Sequence, residues 1–423
     1  MYIYQELAAR AAAGKPVRVG LIGAGKFGSM FLSQVPTTPG LEVAVIADEL
    51  VARTKFVDDA MAMMQAGGVD VVVEATGNPV VGLVHAREAI HNGIHIVMVN
   101  VEADVLAGGL LAEEARKAGV VYSMAYGDQP ALTCELVEWA RATGFEVIAA
   151  GKGTKYLPSY HASTPDTVWD HYGLTPEQAA AAGMNSQMFN SFLDGTKSAL
   201  EMAAIANGTG LTPPSGGLNF PAAGMDDLAH VLRPVADGGM LENKGQVEVV
   251  SSLERDGRPV FKDLRWGVYV VIEAPNDYAA ACFRQYGMNT DASGRYSAMF
   301  KPFHLIGLEL NISILSAALL NKPTGSTLGF RGDVVATAKR DLKAGEMLDG
   351  EGGFTVWGKL YPAEKSLKLG GLPIGLAHKV KLKADIPANQ PVRWQDVEAD
   401  ETLDAVKIRR EMETQFRLPV AAE

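Results

Sequence analysis

The chain has 423 residues, 48% apolar and 21% charged. That length predicts two or three domains, and the composition excludes disordered and collagen-like chains. With 38 Lys and Arg against 49 Asp and Glu, the net charge of −11 argues against a general nucleic-acid binder but leaves room for a local basic pocket. Two cysteines, Cys134 and Cys282, provide no disulfide framework and point to a reducing compartment.

In chain order, MYIYQELAARAAAGKP predicts a short amphipathic helix ended by Gly14 and Pro16. Glu6 and Arg10 interrupt what a signal peptide would need as an apolar run. No run approaches the ~20 apolar residues of a membrane span, so a soluble cytoplasmic protein without a membrane partner is expected.

From Val17 to about Tyr126, short Val/Ile-rich runs alternate with helical stretches. The runs are VRVGLI (17–22), VAVIA (43–47), VDVVVEA (69–75), IHIVMV (94–99) and VVYSMA (120–125). None alternates with period two, as expected of parallel strands buried on both faces. The intervening VVGLVHAREAIHNG (80–93) and LLAEEARKAG (110–119) end in glycine. The pattern predicts an α/β fold with a Rossmann-type doubly wound parallel sheet.

Roughly 127–330 is less regular. A helix at 134–144 leads to a strand, FEVIAAG (145–151). A loop, YLPSYHASTPDTVW (156–169), precedes a long helix expected across 186–208. GVYVVIEA (267–274) predicts a strand, and LELNISILSAALL (308–320) an apolar helix able to pack back on the first domain. In the last ninety residues, segments 334–349 and 379–397 share β-type residues with alternating charge followed by a turn. A helix around 404–416 ends the chain. The expected domains are 1–130 for a dinucleotide, 131–330 as an α+β substrate and oligomerisation domain, 331–400 as a small β-rich module, and 401–423 as a helix and tail.

Gly23-x-Gly25-x-x-Gly28 follows a strand and opens a helix that also carries Lys26 and Phe27. Gly23 permits a tight turn, Gly25 lets backbone approach a pyrophosphate, and Gly28 lets helix and strand pack closely. Free N–H groups at the helix start then favour the phosphates. Asp48 ends the second strand, where an acid can accept both ribose hydroxyls and repel a 2′-phosphate. NAD is therefore favoured over NADP; the alternative role for Asp48 is a helix cap.

One spacing is anomalous. If RTKFV (53–57) is the third strand, about four residues separate it from VAVIAD, whereas a parallel crossover needs ~10–12 or more. Either the crossover is truly deleted or the chain as written lacks a segment. The second explanation is favoured, and a Cα–Cα step above ~3.8 Å between Asp48 and Arg53 would mark it.

The succession VGLIGAGKFG, VVVEATGNP, GIHIVMVNVEADV, AYGDQPALTCEL, AAGKG and FLDGTKSALEMAAIANGTG resembles the homoserine-dehydrogenase-like NAD(P)-dependent oxidoreductases. More narrowly, it resembles members with a C-terminal SAF domain, to which DLKAGEMLD and KADIPANQPVRWQDV are similar. These are related to reductoisomerase-like enzymes acting on 1-deoxy-D-xylulose 5-phosphate. Homoserine dehydrogenases carry lysine in an Ala-Asn-Lys stretch where this chain has Asn100-Val101-Glu102. A carboxylate able to act as base or metal ligand replaces the lysine, which argues against homoserine itself as substrate.

Several residues carry candidate chemistry. Glu74, Ala75, Thr76 and Gly77 end a strand at the edge where ligands bind in such sheets, with Asn78 as likely a plain turn residue. Asn100 and Glu102 would border a nicotinamide or cap a helix. Lys152 lies between Gly151 and Gly153, which would leave room for a ligand; Lys155 follows. Asp194, Lys197 and Glu201, at i, i+3 and i+7, would share one helix face. A buried lysine between two carboxylates is a candidate general acid/base, and an exposed ladder is the plain alternative. Asp128 is expected to cap a helix; His161 and His304 are further candidates.

No HxH, CxxC or HExxH spacing indicates a dedicated metal site. A loosely held Mg²⁺ or Mn²⁺ at Asp194 and Glu201 is compatible with the residues. The expected activity is hydride transfer to or from a CH–OH group of a small polyhydroxylated, sugar-phosphate-like or amino-acid-like substrate. Lys197 or Lys152 would exchange the proton in a homodimer or homotetramer. The alternatives are an oxidoisomerase and a non-catalytic NAD(P)-binding sensor.

Overall fold

The computed structural model describes residues 3–48, 56–57 and 59–417. The chain forms two compact units. The first is built from Met1–Glu135, His304–Gly329 and Thr402–Phe416, the second from Leu136–Phe303 and Phe330–Glu401. Residues 304–329 and 402–416 thus group with the first 135 residues.

After helix α1 (Ile3–Ala12), the first unit runs β1 (Val17–Ile22), α2 (Lys26–Gln34), β2 (Leu41–Ala47), β3 (Phe56–Val57), α3 (Ala60–Ala66), β4 (Val71–Glu74), α4 (Pro79–His91), β5 (His95–Met98), α5 (Val101–Ala118) and β6 (Tyr122–Met124). The six strands are parallel, in the order β3-β2-β1-β4-β5-β6, the doubly wound arrangement expected. Val19, Leu21, Val71, Val73 and Val97 are fully buried, each stabilising by ~1.5–3 kcal/mol. Ile314, Leu315 and Ala317 of the helix Asn311–Leu320 close the same core. Phe56 and Val57 pair in parallel with Ile46 and Ala47, while the anomalous step between Asp48 and Arg53 lies outside the described residues.

Caps set the helix starts. Asp59 Oδ1 accepts from the Met61 and Ala62 amides at α3, and Asn78 Oδ1 from Val80 at α4, where Pro79 occupies the first turn. The helix read at 110–119 begins nine residues earlier, at Val101, and changes direction at Ala107. The helix Asp404–Phe416 lies on this unit: its buried Arg409 donates to Glu413 at 2.9 Å and to the Leu106 carbonyl at 3.1 Å.

A buried carboxyl makes this unit sensitive to pH. Asp104 on α5 accepts from Tyr122 Oη (2.9 Å) and Thr327 Oγ1 (2.8 Å), yet burial outweighs both bonds and pushes its carboxyl up to about 6. The folded protein therefore holds this proton more tightly than the unfolded chain. The Asp104 contribution to stability is expected to be fullest below pH 3.8 and to fall by roughly 3 kcal/mol as pH rises through about 6. Urea melts across that range should show the slope in wild type and a flatter profile in Asp104→Asn.

The helix α6 (Gln129–Ala142) begins in the first unit and ends in the second, where it leads to β7 (Glu146–Thr154). There follow α7 (Val168–Tyr172), α8 (Pro176–Ala181), α9 (Ser186–Leu193), α10 (Thr196–Thr209), β8 (Gln246–Ser251), β9 (Val268–Glu273) and β10 (Tyr296–Lys301). The sheet order is β10-β9-β7-β8, with only β7 and β8 parallel. The single helix expected across 186–208 is instead two. Gly195, at φ +93°, breaks it between α9 and α10, a conformation that penalises any side chain.

The β-rich segment contains β11 (Gly332–Ala338), β12 (Met347–Asp349), β13 (Val356–Pro362) and β14 (His378–Lys381), paired antiparallel as β11–β13 and β12–β14. Its two similar sequences form matching turns. Asp341 accepts from the Ala388 amide (2.8 Å) and Asp385 from the Ala344 amide (2.9 Å). Leu342 and Ile386 exchange backbone bonds, and Gly345 and Asn389, each four residues after its aspartate, both take positive φ.

Candidate functional site

At the carboxyl edge of the parallel sheet, backbone bonds tie neighbouring strand ends together. The Gly23 amide donates to the Ala47 carbonyl (2.9 Å), Ala75 to Ile22 (2.8 Å) and Val99 to Glu74 (3.0 Å). The loops after β1, β2, β4 and β5 consequently share one edge, beside the strand-order switch between β1 and β4. Gly23 lies at φ +89°, and a Cβ there would stand 2.7 Å from the Ala75 carbonyl oxygen. A Cβ on Gly28 would meet the Gly23 oxygen at 2.6 Å. Gly25, at the start of α2, has nothing within 4 Å of its Cβ position. The first and third glycines are thus required by the protein's own packing, and the second borders open space, as a cradle for a pyrophosphate needs.

Asp48 belongs to this edge: its Oδ2 accepts from the Ala24 amide at 2.6 Å, anchoring the glycine turn. Lys26 is exposed and Phe27 half-buried in the first turn of α2. Thr76 and Gly77 are exposed beyond β4. The Thr76 hydroxyl donates to the fully buried Glu74, which also faces His85 at 3.4 Å. Asn100 is buried and caps α5 through Oδ1, accepting from Ala103 at 3.1 Å; Glu102 is half-buried in that first turn. Glu74 was placed at this edge by the sequence but given no role there. Its place one residue after VVV was visible, but its bonds to the loop were not.

In the second unit Asp194, Lys197 and Glu201 do not all share one helix face. Gly195 puts Asp194 before α10 rather than on it, and each carboxylate finds another lysine. Glu201 pairs with Lys152 of β7; the two residues are only 4% and 6% exposed. Asp194, fully buried, pairs with Lys339 at 2.8 Å and caps Thr196 at 2.9 Å. Burial nevertheless raises the Asp194 carboxyl above the usual range, against the pull of Lys339. Lys197 is half-buried on α10. Among the described residues, no group of three His, Cys, Asp or Glu side chains could hold a metal ion.

Gly151 and Gly153 also differ from expectation. Their Cβ positions are filled by the Glu248 and Leu264 carbonyls, so these glycines permit close strand approach rather than ligand access. Lys155 donates to the His171 carbonyl and lies over the Tyr172 ring. His161 bonds the Asp194 carbonyl (2.7 Å) and Tyr156 Oη (2.9 Å) and stacks on Trp357, and burial holds its imidazole below the ordinary range. Lys339 was not foreseen; it also donates to the Ser163 and Gly353 carbonyls, both at 2.7 Å. Asp128 accepts from the Gln129 amide at the start of α6 (2.8 Å), and His304 is half-buried in the first unit.

Residues 127–310 match the family described as the catalytic domain of the oxidoreductase DRL. Among solved structures, it is similar to homoserine dehydrogenase of Staphylococcus aureus, with 17% identity over 31% of this chain and 40% of that one (TM-score 0.23). An oxidoreductase from Agrobacterium radiobacter, in complex with NAD+, L-tartaric acid and magnesium, gives 16% identity over 33% and 44% of the two chains (TM-score 0.28). A myo-inositol dehydrogenase from Corynebacterium glutamicum gives 14% identity over 36% and 48% (TM-score 0.27). The chain thus spans less than half the length of each of these three. No curated protein matches its sequence. Among the described residues, no helix is long and apolar enough to cross a membrane.

Proposed function

We propose that the chain is a nicotinamide-dependent oxidoreductase that moves a hydride to or from a CH–OH carbon of a small polyhydroxylated, sugar-phosphate-like or amino-acid-like substrate. The observation that carries this reading is the contrast among the three glycines. Gly23 and Gly28 are held by backbone at 2.7 and 2.6 Å, while Gly25 faces open space at a helix start. Gly25, Lys26 and Phe27 would hold the pyrophosphate, Asp48 the adenosine ribose, and Ala75, Thr76, Gly77 and Asn100 the nicotinamide half. The dinucleotide, when bound, supplies or accepts the hydride.

The chain's own part is proton transfer and positioning. Lys152 Nζ, buried against Glu201, is the candidate for exchanging the proton of the substrate oxygen and stabilising its negative charge. Glu201 keeps that ammonium in place. Lys197, half-buried on the same helix as Glu201, is the second candidate, and Glu102 borders the nicotinamide half. The matched turns around Asp341 and Asp385 support a SAF-like identity for the β-rich segment.

Asp48 supports NAD over NADP. Asp48→Asn keeps an acceptor for the Ala24 amide but removes the charge. It is expected to weaken NADH binding by ~5–10-fold and to improve NADPH binding, read by fluorescence titration of both. Equal loss for both dinucleotides would reject the ribose contact, and absence of NADH binding by the wild type would reject the proposed function.

A further inference from the structure

Trp357, Lys359 and Tyr361 alternate along β13 and therefore share one face of that strand. The Lys359 ammonium lies 5.6 Å from the centre of the Tyr361 ring, and Lys365 reaches the same ring at 5.5 Å. Lys365 also donates to the Ser215 carbonyl at 3.0 Å. Gly217, on the same turn as Ser215, closes on the Lys359 stem, since a Cβ there would stand 2.9 Å from Lys359 Cε. Gly216 has nothing within 4 Å of its Cβ position.

Among the described residues, neither ammonium is paired with a carboxylate. Glu242 is held by the amide and hydroxyl of Ser215, and Glu364 is paired with Lys368 at 2.5 Å. Burial, together with Lys365, holds the half-buried Lys359 below the ordinary lysine range. A cation–π contact compensates weakly for two like charges at one ring, whereas an anion between them removes the repulsion altogether.

We propose that Lys359 and Lys365, set over Tyr361 beside the Ser215–Gly217 turn, form a binding site for a phosphate monoester dianion. Two ammonium groups match the charge of a dianion, and the space at Gly216 admits it beside the turn. The site is built wholly from residues of the second unit and shares none with the glycine loop of the first. It therefore goes beyond the nicotinamide reading and does not depend on it.

The test is isothermal titration of the full chain with inorganic phosphate and with glycerol 3-phosphate, at constant ionic strength and without dinucleotide. Saturable binding is expected in the wild type, and Lys359→Met and Lys365→Met should each weaken it ~10-fold or more, with Lys359→Arg retaining most of it. Circular dichroism verifies the fold. Should Lys359→Met fail to fold, the exposed Lys365→Met decides. Absence of saturable binding in the wild type, or wild-type affinity in both Met variants, overturns the proposal. So does displacement of phosphate by NADH, which would place it on the glycine loop. Acetate or malonate binding as tightly as phosphate would overturn the phosphate assignment in favour of a carboxylate. NADH affinity, measured separately, reports on the nicotinamide reading alone.

Discussion

Lys152→Met is expected to abolish turnover and to lower the free energy of unfolding by ~3–5 kcal/mol, because it strands the Glu201 carboxylate in a dry interior. The two losses have different origins and can be separated. In Lys152→Met/Glu201→Leu both charges are gone and similar apolar volume replaces them, so most of the stability should return. Turnover should not, if Lys152 exchanges the substrate proton. Urea melts and initial rates of NADH oxidation, with whichever carbonyl compound the wild type reduces, read the two quantities. NADH affinity should be nearly unchanged in both variants, since neither residue lies in the first unit. Lys197→Met is the control: Lys197 is only half-buried, so stability should stay within ~0.5–1 kcal/mol of wild type. An active double variant alongside an inactive Lys197→Met would transfer the proton-exchange role to Lys197.

That the two lysines must be compared at all follows from what local pattern can encode. β1 and the helix Asp404–Phe416 match their predicted bounds, because a short, mostly apolar run or one amphipathic stripe decides each within a single segment. The glycine turn was legible for the same reason: strand, turn and helix start are contiguous. The second unit was not. Apolar residues continue across 186–208, so periodicity favours one helix, and the Asp-Gly pair at 194–195 was the only local warning of a break. Once Gly195 turns the chain, carboxylates seven residues apart meet lysines from distant segments, Lys339 just after β11 and Lys152 in β7. Glycine was also ambiguous at 151 and 153. Backbone filling the missing side chain and a ligand filling it leave the same residue in the sequence, and only the positions of the Glu248 and Leu264 carbonyls distinguish them.

The same ambiguity makes glycine substitutions decisive at the other end of the chain. Gly25→Ala is expected to leave the melting temperature unchanged and to weaken NADH binding ~100-fold or more, because a methyl would occupy the space the pyrophosphate needs. Gly25 already has negative φ, at −64°, and its Cβ position is empty, so the protein itself has no reason to resist alanine. Gly23→Ala should behave differently. Positive φ costs ~1–3 kcal/mol for a residue with a side chain, and the Cβ would press on the Ala75 carbonyl at 2.7 Å. Stability and affinity should therefore fall together at position 23 and separate at position 25. Differential scanning fluorimetry with and without NADH measures both. A Gly25→Ala protein that binds NADH as tightly as wild type would mean that no pyrophosphate sits over this helix start, whatever the glycine spacing suggests.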